Sequence, residues 1–203
     1  MAEQVTDERL LEQAASGDAT AFQVLYERYR DAIFRFAYRL VGSVEAAEDV
    51  THDCFLSLIK EPGRYDPARA SLRTYLYAAA RNLALKQFNY FSRAAAIDDL
   101  TEEPSGSNND QPMRRVLDSE LSAQVENAIA SLPPLQREAL VLFEYEDLSL
   151  AEVASVVGTD VGTVKSRLFR ARETLRLRLA RYFRIDSEPV RVEDGFGARA
   201  RTH

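Results

Sequence analysis

A chain of 203 residues, 46% of them hydrophobic, can bury one large core or two small ones, which excludes wholesale disorder. An acidic, amphipathic start and the lack of a run of about 18 apolar residues exclude a secretory signal and a membrane span, so we expect a cytoplasmic protein. A net charge of −6 is unusual for a DNA-binding protein, so any basic surface must be local, and a single cysteine excludes an internal disulfide.

The first part of the chain has apolar residues at helical spacing, which predicts three helices. Gly42 follows the first of them, and Pro62 with Gly63 follows the second. The stretch Glu61–Ala70 has two prolines and a glycine, so it is predicted to be an ordered loop before the third helix. The predicted helices run from Phe22 to Leu40, from Ala47 to Leu58 and from about Ser71 to Phe91.

Two predicted surfaces of this part are unusual. The second helix carries acidic residues and a histidine opposite its apolar stripe, and the third mixes cations with aromatic residues. Such a mixture suits single-stranded nucleic acid, because rings stack on exposed bases while cations contact phosphates. The alternative is that the aromatic residues fill the core. The acidic surface contains Glu45, Asp49, His52 and Asp53, and the mixed surface contains Arg73, Tyr75, Tyr77, Arg81, Asn82, Lys86, Phe88 and Tyr90.

The composition changes after the third helix. Residues 93–118 are rich in turn formers and acids and poor in large apolar residues, which predicts a flexible linker. Helical periodicity then returns, and residues 185–203, which have glycines and mixed charge but no periodicity, are predicted to be a flexible tail. The sequence therefore predicts an all-α protein with two small helical domains, residues 1–92 and 119–184, joined by a flexible acidic linker.

The clearest motif is a helix-turn-helix pattern in residues 148–179. Ser149 and Glu152 form a capping box that starts one helix, and Gly158 can adopt the positive φ that ends it. Asp160 can then cap a second helix with its carboxylate. Two helices joined by three or four residues including a glycine match the geometry of this motif, whose second helix enters the DNA major groove.

The second helix of the motif divides into an apolar stripe and a polar face. Cations and an aromatic ring near its N-terminal end can read base edges, whereas the other arginines are better placed for phosphates. The stripe contains Val164, Leu168, Ala171, Leu175 and Leu179, the candidate base readers are Lys165, Ser166, Phe169 and Arg170, and the phosphate candidates are Arg167, Arg172 and Arg176. A solvated basic helix in an ordinary bundle is the alternative. The coincidence of cap, turn, spacing and an aromatic residue on the polar face favours DNA reading.

Two segments of the chain resemble the conserved domains of the extracytoplasmic-function sigma factors of bacterial RNA polymerase. The resemblance to the first domain lies in AAEDVTHDCFLSLIK, from Ala46 to Lys60, and in SLRTYLYAAARNLALKQF, from Ser71 to Phe88. The resemblance to the second lies in LPPLQREALVLFEYEDLSLAEVASVVGTDVGTVKSRLFRARETL, residues 132–175. The two occur in the right order, and the chain has no room for the intervening domain of primary sigma factors.

The resemblance implies an initiation factor that binds core polymerase and directs it to promoters. Its second helix looks like the surface that docks on the β′ clamp helices, and Glu61–Ala70 looks like the pocket for a base flipped from the minus-ten strand. The implied polymerase-binding residues are Asp49, His52, Asp53 and Phe55. The implied minus-ten residues are Arg73, Tyr75, Arg81, Asn82 and Lys86. The implied minus-35 residues are Lys165, Ser166, Phe169 and Arg170. Arg167, Arg172 and Arg176 remain the candidates for contacts with the DNA phosphates.

The resemblance also implies partners. They are core RNA polymerase, through the β′ clamp helices and the β flap, promoter DNA as duplex and as melted strand, and an anti-sigma factor. The linker would thread toward the active centre and the RNA exit path, and the protein would be a monomer outside its complexes, without membrane insertion. Leu72 and Tyr75 stand where the family commonly has Phe and Trp, and His52 and Asp53 stand where it has Gln and Glu. These departures affect promoter detail more than class.

The sequence has no recognisable catalytic constellation, so we expect neither an enzyme nor a cofactor or metal site. Its histidines are His52 and His203, and no glycine-rich phosphate loop is visible. Cys54 falls on the apolar stripe of the second helix and is interpreted as core packing. One alternative function is a conventional helix-turn-helix regulator with a sensing or dimerising first domain. Another is a helical protein that sequesters a sigma factor and does not contact DNA.

Overall fold

The computed structural model of the chain describes residues 5–97 and 114–183. In these two ranges the chain forms helices and no strand, which confirms the all-α prediction. No helix of these ranges is both long enough and apolar enough to cross a membrane. The α-helices are α1 (Asp7–Ala15), α2 (Ala19–Val41), α3 (Val44–Lys60), α4 (Leu72–Ile97), α5 (Arg114–Ala130), α6 (Pro134–Leu140), α7 (Leu150–Val157) and α8 (Val161–Phe183).

Helices α1 to α4 form the first domain. The predicted stops of α2 and α3 are confirmed: Gly42 ends α2 with a left-handed φ of 75°, and α3 ends at Lys60, before Pro62. The Ser43 hydroxyl accepts from the Ala46 N–H and caps α3. The apolar faces of the helices meet in a core whose fully buried members include Leu25, Ile33, Phe36, Cys54, Leu58 and Leu76.

Helix α1 was not predicted. The acidic, amphipathic start of the chain was interpreted only as evidence against a secretory signal. It begins after Thr6, whose hydroxyl accepts from the Arg9 N–H. Asp7 binds both Arg28 and Tyr29 of α2, and Leu10 and Leu11 join the core of the first domain. Burial and the hydrogen bond with Asp7 raise the pKa of the Tyr29 phenol above its usual value.

Helices α5 to α8 form the second domain. A single wide π-type turn, Val141–Tyr145, follows α6, and the Glu146 N–H bonds five residues back to the Val141 carbonyl at 3.1 Å. Asp147 then takes a left-handed φ of 51°, which turns the chain into α7. The core of this domain includes the buried side chains of Ile129, Leu132, Leu142, Val153 and Leu168.

The helices on either side of the predicted linker are longer than their apolar periodicity indicated. Helix α4 continues to Ile97 and α5 begins at Arg114, so each enters the predicted range 93–118 by five residues. These residues, RAAAI at 93–97 and RRVLD at 114–118, are mostly alanine, arginine and leucine, which have high helix propensity and can extend a helix without an apolar stripe of their own. The middle of the linker and the whole of the predicted tail lie outside the described residues.

The two domains pack against each other. Helix α4 lies along α7, and α2 contacts α5, α6 and the π-type turn. The buried apolar residues of the two domains form one continuous cluster. Polar contacts surround it, and they involve several side chains that the sequence assigned to DNA.

Candidate nucleic-acid interface

The helix-turn-helix has the local geometry that the sequence predicts. The Ser149 hydroxyl accepts from the Glu152 N–H at 3.3 Å, and the Glu152 carboxylate accepts from the Ser149 N–H at 2.8 Å, which completes the capping box. Gly158 ends α7 with a φ of 69°. Asp160 caps α8 by accepting from the Thr163 N–H at 2.8 Å and from its hydroxyl at 2.6 Å, and these bonds lower the pKa of Asp160.

Helix α8 presents its candidate base readers to solvent. Three residues of the apolar stripe are fully buried, Val164, Leu168 and Ala171, whereas Leu175 and Leu179 are half-buried. The stripe is therefore more deeply buried in the N-terminal half of α8. Phe169 is 58% exposed, so its apolar ring is available for a contact outside the domain. The four candidate base readers are all exposed, and they are Lys165, Ser166, Phe169 and Arg170.

The three candidate phosphate contacts of α8 bind carboxylates in this structure. Arg167 reaches Glu138 of α6 at 3.2 Å, Arg172 reaches Glu144 at 2.5 Å, and Arg176 reaches Glu173 at 2.8 Å. The last two pairs are exposed, and exposed pairs are weak, so a DNA phosphate could replace either carboxylate. The Glu138 pair is different, because that carboxylate is only 2% exposed.

The candidate minus-ten residues divide between two faces of α4. Arg73 and Arg81 are half-buried and face the second domain, where Arg73 donates to the Glu146 carbonyl and Arg81 donates to the Glu138 carboxylate. Asn82 and Lys86 are exposed on another face. Residues 75, 82 and 86 are spaced to share one face of a helix, whereas residues 73 and 75 are almost opposite. The five residues therefore do not form one continuous surface in this arrangement.

Tyr77 does not belong to the mixed nucleic-acid surface predicted for the third helix. It is 1% exposed, its ring meets Phe36 edge-on at 5.2 Å, and its hydroxyl donates to Glu146 of the second domain at 2.5 Å. Burial and this hydrogen bond raise the pKa of the Tyr77 phenol above its usual value. Its ring is therefore part of the core and cannot stack on a base from this position. The side chains of Phe88 and Tyr90 lie outside the described residues.

The loop between α3 and α4 is ordered and adjoins a cavity. Tyr65 of the loop is buried, and its ring contacts the Tyr75 ring edge-on at 5.6 Å. A cavity of about 220 Å³ lies between this loop and α1. The cavity is lined by Glu8, Leu11, Glu12, Ala15, Pro62, Tyr65 and Pro67. The contribution of α1 was missed, since no local pattern links residues 8–15 to a loop fifty residues further on.

The exposed face of α3 is acidic. Asp49, His52 and Asp53 are exposed there, and so are Glu45 and Glu48. This arrangement matches the predicted surface, on which like charges are tolerated because water surrounds them.

Phe55 requires a correction. It is 2% exposed, and its ring contacts the rings of Phe22 at 6.4 Å and Tyr26 at 4.9 Å in the core of the first domain. A side chain in this position cannot contact a partner directly. It supports the acidic face from the inside.

Cys54 is fully buried, and its thiol donates to the Leu76 carbonyl at 3.5 Å. Burial raises the pKa of the Cys54 thiol to about 12. Within residues 5–97 and 114–183 no group of three or more His, Cys, Asp or Glu side chains could hold a metal ion.

Family models match both domains. Residues 25–94 match sigma-70 region 2, and residues 122–175 match sigma-70 region 4. The first match covers α3, the loop and most of α4, and the second covers the helix-turn-helix.

Curated relatives give the same result, and a solved structure shares the fold. The chain is 32% identical over 183 residues to the RNA polymerase sigma-H factor of Pseudomonas aeruginosa, covering 86% of this chain and 94% of that one. It is 32% identical over 177 residues to the ECF RNA polymerase sigma factor SigW of Bacillus subtilis, covering 83% and 94%. It shares its fold with the sigma factor RpoE of Bartonella quintana, solved in complex with the anti-sigma factor NepR, with a TM-score of 0.66, 24% identity and coverage of 82% and 98%.

Proposed function

The chain belongs to the extracytoplasmic-function (ECF) family of RNA polymerase sigma factors, and from this premise we propose how its surfaces divide the work of promoter recognition. A sigma factor of this family directs core polymerase to promoters. The first domain, residues 1–92, would hold polymerase and open the minus-ten element. The second domain, residues 119–184, would locate the minus-35 element on duplex DNA.

Helix α8 is the proposed reader of the minus-35 element. Its exposed Lys165, Ser166, Phe169 and Arg170 stand near the end that enters the major groove in this motif. Arg or Lys can bridge O6 and N7 of guanine, and the Phe169 ring can meet a thymine methyl group. Arg167, Arg172 and Arg176 would contact phosphates, which requires each to exchange its carboxylate partner for DNA.

Helix α4 and the loop before it are the proposed minus-ten site. Asn82 and Lys86 would contact the melted strand from the exposed face of α4, with Tyr75 beside the loop. Arg73 and Arg81 would reach DNA only once they leave the second domain, Arg73 from the other side of α4. Unstacking costs a few kcal/mol per base, which stacking and pocket contacts would offset, so strand capture would need no nucleotide hydrolysis.

The acidic face of α3 is the proposed polymerase-docking surface. Asp49, His52 and Asp53 are its central residues, with Phe55 holding the helix in place from the core. The partner surface would be the β′ clamp helices, and the second domain would contact the β flap. The acids of the linker would suit a channel built for RNA.

Three further properties follow from the family. The protein would have no catalytic activity of its own, and it would act in the cytoplasm, where polymerase works. An anti-sigma factor is a further proposed partner, since the related RpoE was solved in complex with one.

The observation that carries this proposal is the occurrence of both sigma regions, in order, in one chain whose helix-turn-helix leaves its base readers exposed. Run-off transcription from a cognate promoter tests it. Core polymerase should initiate there only when this protein is added. Tight, specific duplex binding without polymerase, and initiation that is unchanged by the protein, would instead favour a conventional helix-turn-helix regulator.

A further inference from the structure

The interface between the domains contains a set of charged and polar contacts that the proposed function does not account for. Cationic and phenolic groups of the first domain meet carboxylates and one backbone carbonyl of the second, and we call this set the interdomain clasp. The clasp consists of Arg39, Arg73, Tyr77 and Arg81 on the first domain and of Glu126, Glu138 and Glu146 on the second.

One contact of the clasp, with two hydrogen bonds, joins α4 to α6. Arg81 donates two hydrogen bonds to the Glu138 carboxylate, from Nε to Oε2 at 2.6 Å and from Nη2 to Oε1 at 3.1 Å. This two-point geometry is the one in which arginine and carboxylate bind best. Arg167 of α8 holds Oε1 of the same carboxylate from within the second domain.

A second group of contacts surrounds Glu146, which is 4% exposed. Its Oε2 accepts from the Tyr77 hydroxyl at 2.5 Å, its carbonyl accepts from Arg73, and its Oε1 lies 3.9 Å from Arg39. The Arg39 guanidinium also lies 4.1 Å from the centre of the Tyr145 ring. Two nearly buried carboxylates of one domain thus depend on donors from the other.

The clasp is suited to a reversible contact. Burying an ion pair costs about as much desolvation free energy as its attraction returns, so such pairs fix geometry without adding much stability. Interfaces between the domains of one chain generally resemble transient protein–protein interfaces, so relative motion of the domains is the default expectation unless the interface is large and hydrophobic. When the domains separate, both the arginines and the glutamates can return to water.

The packed arrangement cannot occupy a whole promoter. The minus-35 and minus-ten elements are about 25 base pairs apart, which is about 85 Å along the duplex. Domains of this size have radii of gyration of about 13 Å, so two that touch cannot reach both elements. The residues between Ile97 and Arg114 can span at most about 60 Å when fully extended, which is enough to bridge separated domains.

We propose that the free protein adopts a closed state, held by the interdomain clasp, in which it covers part of its own promoter-binding surface until polymerase separates the domains. The assignment of that surface to DNA rests on the proposed function, but the existence of the closed state does not. In the closed state Arg73 and Arg81 of the first domain are bound to groups of the second domain. Closure would therefore reduce the binding of free DNA and lower the apparent affinity for polymerase.

Electron–electron distance measurements on the full chain test the closed state. Nitroxides are attached at two exposed positions outside the clasp, through Glu27→Cys in α2 and Leu177→Cys in α8, in a Cys54→Ala background. The otherwise native chain should give one narrow distance distribution. Glu146→Lys, which places a cation among Arg39 and Arg73, should give a broader distribution at longer distances.

Glu144→Lys is the matched control. It changes the charge by the same amount two residues away, but Glu144 is exposed and pairs with Arg172 inside the second domain. This variant should keep the narrow distribution. A broad distribution in the native chain, equal to that of Glu146→Lys, would overturn the closed state while leaving a role in transcription untouched. If circular dichroism shows that Glu146→Lys loses helix, Tyr77→Phe combined with Glu146→Gln replaces it under the same criterion.

Binding of core polymerase tests the regulatory consequence. If at most a third of the native molecules are open, a variant that is fully open should bind with an apparent Kd lower by at least about threefold. Glu144→Lys should bind like the native chain. An unchanged Kd for a variant shown to be open would overturn the inhibitory role of the clasp. A failure of both proteins to support run-off transcription would count against the proposed function instead.

Discussion

Arg81 of α4 and Arg167 of α8 bind the same carboxylate, that of Glu138. One arginine was assigned to the minus-ten element and the other to the minus-35 element, so two DNA contacts that must finally lie far apart share one buried acceptor. Arg170, by contrast, is exposed on α8, one helical turn beyond the first candidate base readers. The arginines of α8 should therefore differ in what they contribute.

Replacing Arg170 with alanine should weaken sequence selection at the minus-35 element. A bidentate contact with guanine accounts for about 1–3 kcal/mol of discrimination, which corresponds to a loss of preference of about 5- to 150-fold. Competitive run-off transcription from templates that differ only in the minus-35 element measures this. Arg178→Ala is the control, because Arg178 is exposed about two turns further along α8. Arg178→Ala should reduce transcription from all templates equally. If Arg170→Ala leaves the preference among minus-35 sequences unchanged, Arg170 does not read this element.

Reversing two charges of the acidic face should weaken polymerase binding. Asp49→Lys with Asp53→Lys alters two exposed residues one turn apart on α3, so the fold should survive. We expect about tenfold weaker binding of core polymerase at about 0.15 M salt, with a smaller deficit at higher salt because the attraction is screened.

The control for this prediction lies on α2. Glu27→Lys with Asp31→Lys has the same spacing, exposure and change of charge, but it lies away from the acidic face. It should bind polymerase normally. Holoenzyme formation by the α3 variant that equals this control would remove the docking assignment.

The helix-turn-helix could be predicted because its signals are local. The Ser149 capping box, the Gly158 turn and the Asp160 cap each lie within four residues of the groups they bind. The predicted stop of α2 at Gly42 held for the same reason.

The interdomain clasp and the burial of Phe55 could not be predicted from local signals. Arg81 and Glu138 are 57 residues apart, and nothing in local spacing relates them. Phe55 lies at the edge of the apolar stripe of α3, where helical periodicity leaves burial undecided. It is buried because the rings of Phe22 and Tyr26 of α2 pack against it.

Gly158→Ala should destabilise the second domain through backbone conformation alone. A Cβ at this position would have no atom within 4 Å, but the φ of +69° is unfavourable for a residue with a side chain. The expected cost is about 1–2 kcal/mol of the free energy of unfolding, measured by urea denaturation. Gly63→Ala is the control, since a Cβ there also meets open space and its φ is not positive. It should be neutral or slightly stabilising, and equal losses for both variants would contradict this account.

Cys54 should be almost unreactive in the native protein. With a pKa raised to about 12, the thiolate fraction at pH 8 is about 10⁻⁴, compared with at least about a tenth for an exposed thiol. A colorimetric disulfide reagent should therefore react roughly 1000-fold more slowly with native protein than with protein in denaturant. Cys54→Ala with Leu177→Cys supplies an exposed thiol as the control for reagent quality, because Leu177 is 56% exposed.

The same burial has a consequence for stability at high pH. Because the folded pKa of Cys54 is raised above the value of an unfolded thiol, its contribution is complete below about pH 9 and is lost as the pH rises toward 12. In thermal melts, Cys54→Ala should remove the part of the stability loss between about pH 9 and 12 that comes from this thiol, whatever its effect on stability at pH 7. Rapid modification of native Cys54 at pH 8 would instead show an accessible thiol, and its interpretation as core packing would fail.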